Sequence, residues 1–312
     1  MGKFHGYYIK CQSKDNTIAI IFGKTNDKAF IQIITEDETF NADFAKKDCK
    51  IAKRKFDFKV ASNHVTEEGM TLDIKNKTLE VKGDIKFENF DKLVGEKKKW
   101  RKYAGESIMG PFQYLPFMEC RHMIVSMQHR ICGQITINNK TYDFQGGIGY
   151  IEGDRGTGFP RKYFWTQAHH DDISISASAA IIPYLGIRFK GTICVIKQGS
   201  REYRLATYRQ AKVKQFTQNY LFIKQGKYKL IINVLDNKTS LPLFAPTKGQ
   251  MNRVIHESVA RTVHYKFTKG NQTLLDFTTD RAAIEFSDIT KQGFLMVDKH
   301  QKMMVQKHLT VH

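Results

Sequence analysis

Two carboxylates, Glu152 and Asp154, stand two residues apart within a stretch that is rich in glycine and aromatic residues (144–172). Side chains two residues apart on an extended backbone project from the same face, and Tyr150 would share that face. Apolar surroundings raise the pKa of a carboxyl group, so such a pair can hold one protonated acid and one ionised partner. The stretch therefore predicts a general acid–base site, with Arg155 holding the second carboxylate ionised. In the structural alternative, a salt-bridged Asp154 belongs to a turn and the aromatic residues belong to the core.

The same stretch indicates a tight turn followed by a strand. Residues 154–156 lead into 157–160, where glycine permits a positive φ and proline sets the direction of the exit. The aromatic run 163–167 then indicates a strand. The expected substrate contacts are the aromatic side chains of this region and the glutamine at the end of the run: Tyr150, Phe159, Tyr163, Trp165 and Gln167. Buried aromatic residues are more often plain core, and that alternative stays open.

A second cluster that can transfer protons lies earlier in the chain, at Glu119 and His122. A histidine beside a carboxylate can remove the proton of a phenol. On a strand Glu119 and Arg121 share one face and His122 takes the other, so an ion pair between Glu119 and Arg121 is the structural alternative. The candidate catalytic residues are therefore Glu119, His122, Glu152 and Asp154.

No metal site and no cofactor are predicted. The run His-His-Asp-Asp at 169–172 has metal-binding residue types, but adjacent side chains on a strand point in opposite directions. The five cysteines include no CxxC pair, so we expect free thiols in the core rather than disulfides or zinc ligands. The glycines at 147 and 149 lack the strand–helix context of a dinucleotide site.

The chain of 312 residues carries a net charge of +19, with its densest basic cluster at 97–102 (KKKWRK). Basic residues with a tryptophan suit an anionic membrane surface, although phosphate groups or a solvated loop would use the same residues. The remaining positive charge is scattered, so nucleic acid is not the expected partner. No apolar run is long enough to span a membrane, and the first ten residues lack the apolar core of a signal peptide. We expect a cytoplasmic protein with a peripheral contact to membrane as one interpretation.

Short runs rich in Ile, Val, Phe, Tyr and Thr recur roughly ten residues apart, which predicts an all-β protein of antiparallel meanders. Residues 122–137 predict a long strand bent at Gly133, and 138–140 predict a hairpin turn after it. We expect a turn at 83–84 and a loop at 242–252.

Two further segments bear on a ligand site. Residues 109–118 are apolar but contain two prolines, so we expect them to cross the end of a barrel rather than join a sheet. Residues 173–180 alternate apolar with small polar side chains. Small side chains leave space, which favours a barrel that encloses a ligand over one filled by its own residues.

Four motifs resemble the tocopherol cyclase family and its bacterial members. The longest, at 149–167, fits the pattern GYxExxxGxxFPxxxxWxQ, and shorter ones lie at 6–10, 109–122 and 201–208. The resemblance implies two lipocalin-like antiparallel β-barrels in tandem, as in the related carotenoid hydratases. We place the N-terminal barrel at 1–145, the C-terminal barrel with the signature turn at 146–287, and a tail at 288–312.

The resemblance also implies a reaction, the acid-catalysed cyclisation of a prenylated quinol or the hydration of an isoprenoid, with the substrate held in a barrel. Such chemistry needs an acid with a raised pKa, aromatic faces near a cation and a dry cavity, and it requires no cofactor. The alternative is a non-catalytic carrier of a hydrophobic ligand at the membrane surface, and a third option is an RNA-binding barrel.

Overall fold

The computed structural model describes residues 3–53, 55–93 and 107–288. Within these residues the strands form two antiparallel sheets, of 12 and 10 strands. The strands of the first sheet are β1 (Phe4–Gln12), β2 (Thr17–Lys24), β3 (Lys28–Ile34), β4 (Thr39–Ala45), β5 (Cys49–Ile51), β6 (Asp57–Val60), β7 (Asn63–Thr66), β8 (Gly69–Lys75), β9 (Glu80–Glu88), β10 (Cys120–Ile137), β11 (Lys140–Asp143) and β12 (Gly147–Gly156). The strands of the second sheet are β13 (Lys162–His170), β14 (Ile173–Tyr184), β15 (Ile187–Gln198), β16 (Arg201–Ala206), β17 (Lys212–Phe216), β18 (Tyr220–Gln225), β19 (Tyr228–Val234), β20 (Leu241–Thr247), β21 (Gln250–Lys269) and β22 (Gln272–Ser287). Short 3₁₀ helices lie at Lys46–Asp48, Gly110–Tyr114 and Thr207–Arg209.

Each sheet is mostly a meander in which the last strand returns beside the first. The order in the first sheet is β4-β3-β2-β1-β12-β10-β9-β8-β7-β6-β5, with β11 paired to β10. The order in the second is β16-β15-β14-β13-β22-β21-β19-β18-β17, with β20 paired to β21. The predicted all-β fold is confirmed, and the two sheets are consistent with two lipocalin-like domains in tandem. No helix in the described part of the chain is long and apolar enough to cross a membrane.

The strand that carries the signature carboxylates belongs to the first sheet. β12 pairs with β1 on one side and with β10 on the other, so the first sheet ends at Gly156 and the second begins at Lys162. The boundary at 145/146 therefore does not coincide with the boundary between the sheets, because the pattern of a strand does not show which sheet it pairs with. Of the expected turn at 154–160, residues 154–156 belong to strand β12, whereas the chain does leave the sheet at 157–161. The basic run at 97–102 and most of the C-terminal tail lie outside the described residues.

Apolar side chains form three clusters rather than two. One fills the first sheet, for example with Phe58 and Ile151, and another fills the second, for example with Phe164. The third lies between the sheets and contains Tyr150 and Trp165, which neighbour Ile151 and Phe164 in the chain. Strands β12 and β13 are thus buried on both faces, because alternate side chains enter different clusters. The buried side chains of each sheet pack against one another in a cluster of their own, and both cavities described below lie between the sheets rather than inside one of them.

Several local predictions can be compared with the strands directly. The long strand is confirmed as β10, although its irregularities lie between Ile124 and His129 and its pairing with β9 is regular through Gly133. Asn138 and Asn139 form its hairpin turn with φ of 45° and 71°. The turn at 83–84 is wrong, because β9 runs through both residues. The loop at 242–252 is also wrong, because most of it lies in β20 and the start of β21. β20 pairs on one side only, where prolines are tolerated.

Candidate active site

A cavity of about 130 Å³ lies between the two sheets. Much of its wall is apolar and includes Met109, Phe112, Ile182 and Trp165. The acidic and histidine side chains that line it are Glu119, His122, Glu152, Asp154 and Glu285. The structure thus brings all four candidate catalytic residues to one cavity, together with a fifth residue that sequence reasoning missed.

Strand register explains why His122 meets the two carboxylates of β12. His122 on β10 lies directly opposite Asp154, and both point away from the first sheet's core toward the cavity. Its Nδ1 is 3.0 Å from Asp154 Oδ1, and its Nε2 is 3.4 Å from Glu152 Oε2. The partner of Asp154 is therefore His122, whereas the expected partner Arg155 is exposed on the other face of β12.

The charge on His122 follows from these contacts. Burial alone would lower the pKa of the imidazole, but the adjacent carboxylates of Glu152 and Asp154 outweigh it and raise the pKa well above its usual value. We therefore take His122 as an imidazolium near neutral pH, held between two carboxylates. Cys120 adds a thiol that donates to Asp154 Oδ1 over 3.2 Å.

Glu152 accepts hydrogen bonds from both sheets. The hydroxyl of Tyr150 donates to its Oε2 over 2.5 Å, and the indole Nε1 of Trp165 donates to the same oxygen over 3.2 Å. Tyr150 is fully buried and does not line the cavity, so it supports Glu152 rather than facing a ligand. The hydroxyl of Tyr150 also lies 3.0 Å from Ser176 Oγ of the second sheet. The carboxylate of Glu152 is thus placed as an acceptor that ties the sheets together.

Glu285 is the carboxyl group that sequence reasoning missed. It lies on β22, directly opposite Trp165 on β13 and Glu257 on β21. Its pKa is raised to about 8, chiefly by burial. A hydrogen bond donated by the Tyr163 hydroxyl opposes this rise, while the nearby carboxylates of Glu152 and Asp154 add to it. Glu285 is therefore protonated near neutral pH while its carboxyl group faces the cavity. A single glutamate within the apolar run 282–286 was the available signal.

A second buried acid stands behind Glu285. Glu257 is fully buried, and burial followed by the charge of Glu285 raises the pKa of its carboxyl group well above the usual value. Tyr8, opposite Glu152 on β1, also faces Glu257. The space between the sheets therefore holds two neighbouring carboxyl groups, Glu257 and Glu285, whose raised pKa values favour the uncharged form.

The other expected site residues divide into two groups. Phe159, Tyr163 and Trp165 line the cavity, and Glu119 lines it with a pKa raised by burial. Gln167 does not reach the cavity, because it binds the buried Lys10 amine over 3.1 Å.

Two further expectations concern neighbouring elements. Arg121 does not pair with Glu119, since its guanidinium donates to the backbone carbonyls of Gln113 and Leu115. The small side chains of β14 do leave space, but Ser178 and Ala180 face the cavity between the sheets rather than a barrel interior.

By distance alone His122, Glu152 and Asp154 could bind a metal ion, because one ligand atom from each lies within 4.8 Å of the others. The hydrogen bonds argue against it. Both ring nitrogens of His122 already face carboxylate oxygens, and Oε2 of Glu152 accepts from Tyr150 and Trp165. The group is therefore built as a hydrogen-bonded ion pair and fits a metal poorly.

Solved structures share this architecture over nearly the whole chain. Kievitone hydratase from Nectria haematococca is 9% identical with a TM-score of 0.56, and the match covers 93% of this chain and 90% of that chain. A protein described as AttH from Nitrosomonas europaea is 12% identical with a TM-score of 0.55, covering 93% of both chains. CghA in complex with Sch210972 is 6% identical with a TM-score of 0.58, covering 93% of this chain and 89% of that one. At these identities the likeness shows the fold alone.

The sequence comparisons are more specific. No curated protein sequence gives a significant match. A family model described as tocopherol cyclase-like matches residues 9–287, which include every motif of the resemblance except the first few residues. The resemblance is therefore confirmed over most of the length, and the chain belongs to the tocopherol cyclase-like family.

Proposed function

We propose that this protein catalyses the cofactor-independent, acid-catalysed cyclisation or hydration of a prenylated quinol or other isoprenoid, bound in the cavity between the two sheets. The observation that carries the proposal is the protonated carboxyl group of Glu285 on a largely apolar cavity, beside the ion pair of His122 with Glu152 and Asp154. Membership of a family described as tocopherol cyclase-like and a structural neighbour named as a hydratase support the same class of reaction.

The first step is proton transfer from Glu285 to a trisubstituted C=C bond. The π electrons form the new C–H bond, the O–H bond of Glu285 breaks, and a tertiary cation remains. Aromatic faces attract a cation within about 6 Å, and Phe159, Tyr163 and Trp165 supply such faces on the cavity wall. A ligand that fills a cavity with a largely apolar wall displaces water from it, which protects the cation from unwanted addition.

The second step is the attack of an oxygen on the cation. A phenolic oxygen of the substrate closes a ring, whereas a water molecule gives an alcohol, and in either case the released proton returns to the carboxylate of Glu285. Glu152 and Asp154 act here as the anionic partners of His122, so the acid role first considered for them passes to Glu285. Glu119, whose pKa is raised by burial, is a second acidic side chain on the wall of the same cavity.

The test begins with native mass spectrometry of the purified protein, to identify a co-purifying apolar ligand. That ligand and a prenylated trimethylhydroquinone are then incubated with the protein in D₂O. Cyclisation places one non-exchangeable deuterium in a product of otherwise unchanged mass, and hydration adds one water. The variant Glu285→Gln should be slower by about 10²–10⁴-fold, the range for loss of a general acid. Asp280→Asn, an exposed change on the same strand, is the matched control. Undiminished turnover by Glu285→Gln would remove Glu285 as the acid.

One observation favours the carrier as a second candidate function. Large apolar side chains are exposed beside residues that line the cavity: Phe117 (79%), next to Met118, and Leu185 (70%) and Ile187 (63%), between Ile182 and Gly191. Arg188 and Lys190 are exposed in the same hairpin. A cytoplasmic protein with these residues could approach an anionic membrane and exchange a ligand there.

Vesicle flotation and ligand transfer distinguish the carrier from the enzyme. Phe117→Asp and Leu185→Asp should weaken binding to vesicles that contain phosphatidylserine, while Leu235→Asp, at an apolar site elsewhere that is 56% exposed, should not. Transfer of the ligand to vesicles by a protein that produces no deuterated or hydrated product would establish the carrier.

A further inference from the structure

A second, smaller cavity of about 60 Å³ adjoins the acid cluster. It lies between β1–β3 of the first sheet and β20–β21 of the second, and most of its wall is aromatic or aliphatic. It shares Glu152, Asp154, Phe159 and Glu285 with the larger cavity. The carboxyl groups of Glu152, Asp154 and Glu285 therefore lie on the boundary between the two cavities, and the larger cavity has about twice the volume of the smaller one.

The far end of the smaller cavity carries an unusual polar group. Gln32 is 1% exposed, and its Oε1 has no hydrogen-bond donor among the described residues. Burying an amide oxygen without a donor is costly, and such atoms in proteins are usually satisfied by an ordered water molecule. Gln32 lines the smaller cavity, so a bound molecule in that space would reach it.

Strand register gives the distance that such molecules must bridge. Gln32, Ile21, Tyr8 and Glu152 lie directly opposite one another on β3, β2, β1 and β12, and so share one face of the sheet. Neighbouring strands are about 4.8 Å apart, so Gln32 lies on the order of 14 Å from Glu152 across the sheet. A water molecule needs roughly 10–15 Å³ of such a space, so a cavity of about 60 Å³ holds roughly four. Four molecules in file, with the side chains at both ends, are enough to cover this separation.

We infer that the smaller cavity is a water-binding subsite, in which a short file of water molecules runs from the amide of Gln32 to the carboxyl groups of Glu152 and Glu285. The inference rests on the proposed function and decides between its two reactions, because it places the nucleophile of a hydration next to the acid. The file has polar partners at both ends and a mostly aromatic and aliphatic wall between them, and so leads water to the acid at the edge of the larger cavity.

The hydration that this subsite supports is balanced without a further reactant. Glu285 donates its proton to one carbon of the C=C bond, and the leading water molecule forms the C–O bond at the other carbon. The water then loses one proton to the Glu285 carboxylate, which restores the acid. The net change is the addition of one water molecule, and the next molecule in the file replaces the one consumed.

A crystal structure at a resolution that shows ordered water tests the subsite without any substrate. We expect a water molecule within hydrogen-bond distance of Gln32 Oε1 and further ones leading to Glu152 or Glu285. Gln32→Met, of similar volume, should lose the molecule at that end. Gln12→Met is the matched control, because Gln12 also has an Oε1 without a donor among the described residues but lines neither cavity. A cavity occupied by an acyl or prenyl chain, or by no water, in the wild-type crystal overturns the inference even if Gln32→Met fails to fold.

Turnover in H₂¹⁸O then tests the role. With the co-purified ligand, or with a prenylated trimethylhydroquinone, the wild-type product should contain ¹⁸O. Gln32→Met should lower the hydrated product by about tenfold, the effect of one lost hydrogen bond, while Gln12→Met should not. A ring-closed product without ¹⁸O from a protein with a wet subsite contradicts the inference but leaves the proposed function standing. Ordered water together with no turnover of either ligand counts against the proposed function alone.

Discussion

The packing inside each sheet differs sharply from the packing between the sheets. The interior clusters consist of aliphatic, aromatic and a few cysteine side chains, such as Phe58 in the first sheet and Phe164 in the second. Between the sheets lie the buried His122, Glu152 and Glu257. Burying an ionisable group is costly, so a site of this kind needs support from an independently stable scaffold. The comparison teaches that the interiors supply stability, while the ionisable groups on which the proposed chemistry depends lie in the space between the sheets.

The largest expected effect is on the stability of the interior. Phe58 is fully buried and packs against the rings of Tyr7 and Phe22. Phe58→Ala should lower the free energy of unfolding by about 3–5 kcal/mol, measured by urea denaturation. Ligand binding by the fraction that stays folded should be unchanged, since Phe58 lines neither cavity. Loss of ligand affinity in proportion to stability would show that the two regions are not separate.

Replacing His122 tests the space between the sheets, as Phe58→Ala tests the interior of the first sheet. His122→Gln leaves Glu152 and Asp154 as two buried carboxylates without their cation, and breaking a buried pair costs about 3–5 kcal/mol. We expect a loss at the lower end of that range at about pH 7. The loss should be full below about pH 6.5 and shrink as the pH rises through the raised pKa of His122, because the wild-type imidazole then loses its charge. A loss that stays the same at alkaline pH would contradict a charged role of His122.

The pH dependence should report Glu285 directly. Its folded pKa of about 8 lies above the ordinary 4.5, so the folded chain retains a proton that the unfolded chain releases between those values. The contribution of this group to the free energy of unfolding is therefore full below about pH 4.5, falls as the pH rises toward about 8, and is flat above that. Turnover that needs the protonated acid should fall about tenfold per pH unit above about pH 8.

Glu285→Gln provides the control for this profile. The variant should lack the decrease in stability between pH 5 and 8 that urea denaturation detects in the wild type. The same decrease in both proteins would assign the titration to another group, such as Glu257.

The smallest expected effect comes from a single hydrogen bond across the two sheets. Trp165→Phe keeps an aromatic face at the cavity but removes the indole N–H that donates to Glu152. We expect a loss of about 1 kcal/mol in the free energy of unfolding and a decrease in turnover of about tenfold or less. Trp100 is the only tryptophan left in this variant, so its fluorescence spectrum reports Trp100 alone. A loss as large as that of His122→Gln would mean that the ring itself holds the sheets together.

Much of the strand pattern and four of the five acidic and histidine residues on the cavity could be predicted, because residue type and local order are enough to name them. The long strand β10 and its turn at Asn138 and Asn139 follow from a run of strand-forming residues and the turn preference of asparagine. Glu152 and Asp154 share a face because they are two residues apart on a strand. His122 could be named as a candidate from its residue type, although its contacts could not.

The remaining residues of the site are joined by pairing between distant strands. Glu285 lies 120 residues after Trp165 in the chain, and only the register of β13 against β22 places them opposite each other. The same is true of Gln32 and Glu152, which share a face through two intervening strands. No spacing within one segment carries this information.

The amino-acid sequence by itself determined that the chain is all-β, which family it resembles, and which residues of one short stretch are candidates for proton transfer. The tertiary structure decided that both faces of β12 and β13 are buried, and that the cavity lies between the sheets rather than inside one. The physical reason is that strand alternation specifies two faces without specifying what covers each. That choice is made by the packing of the second sheet on the first, and it also turns Glu285 into the protonated acid.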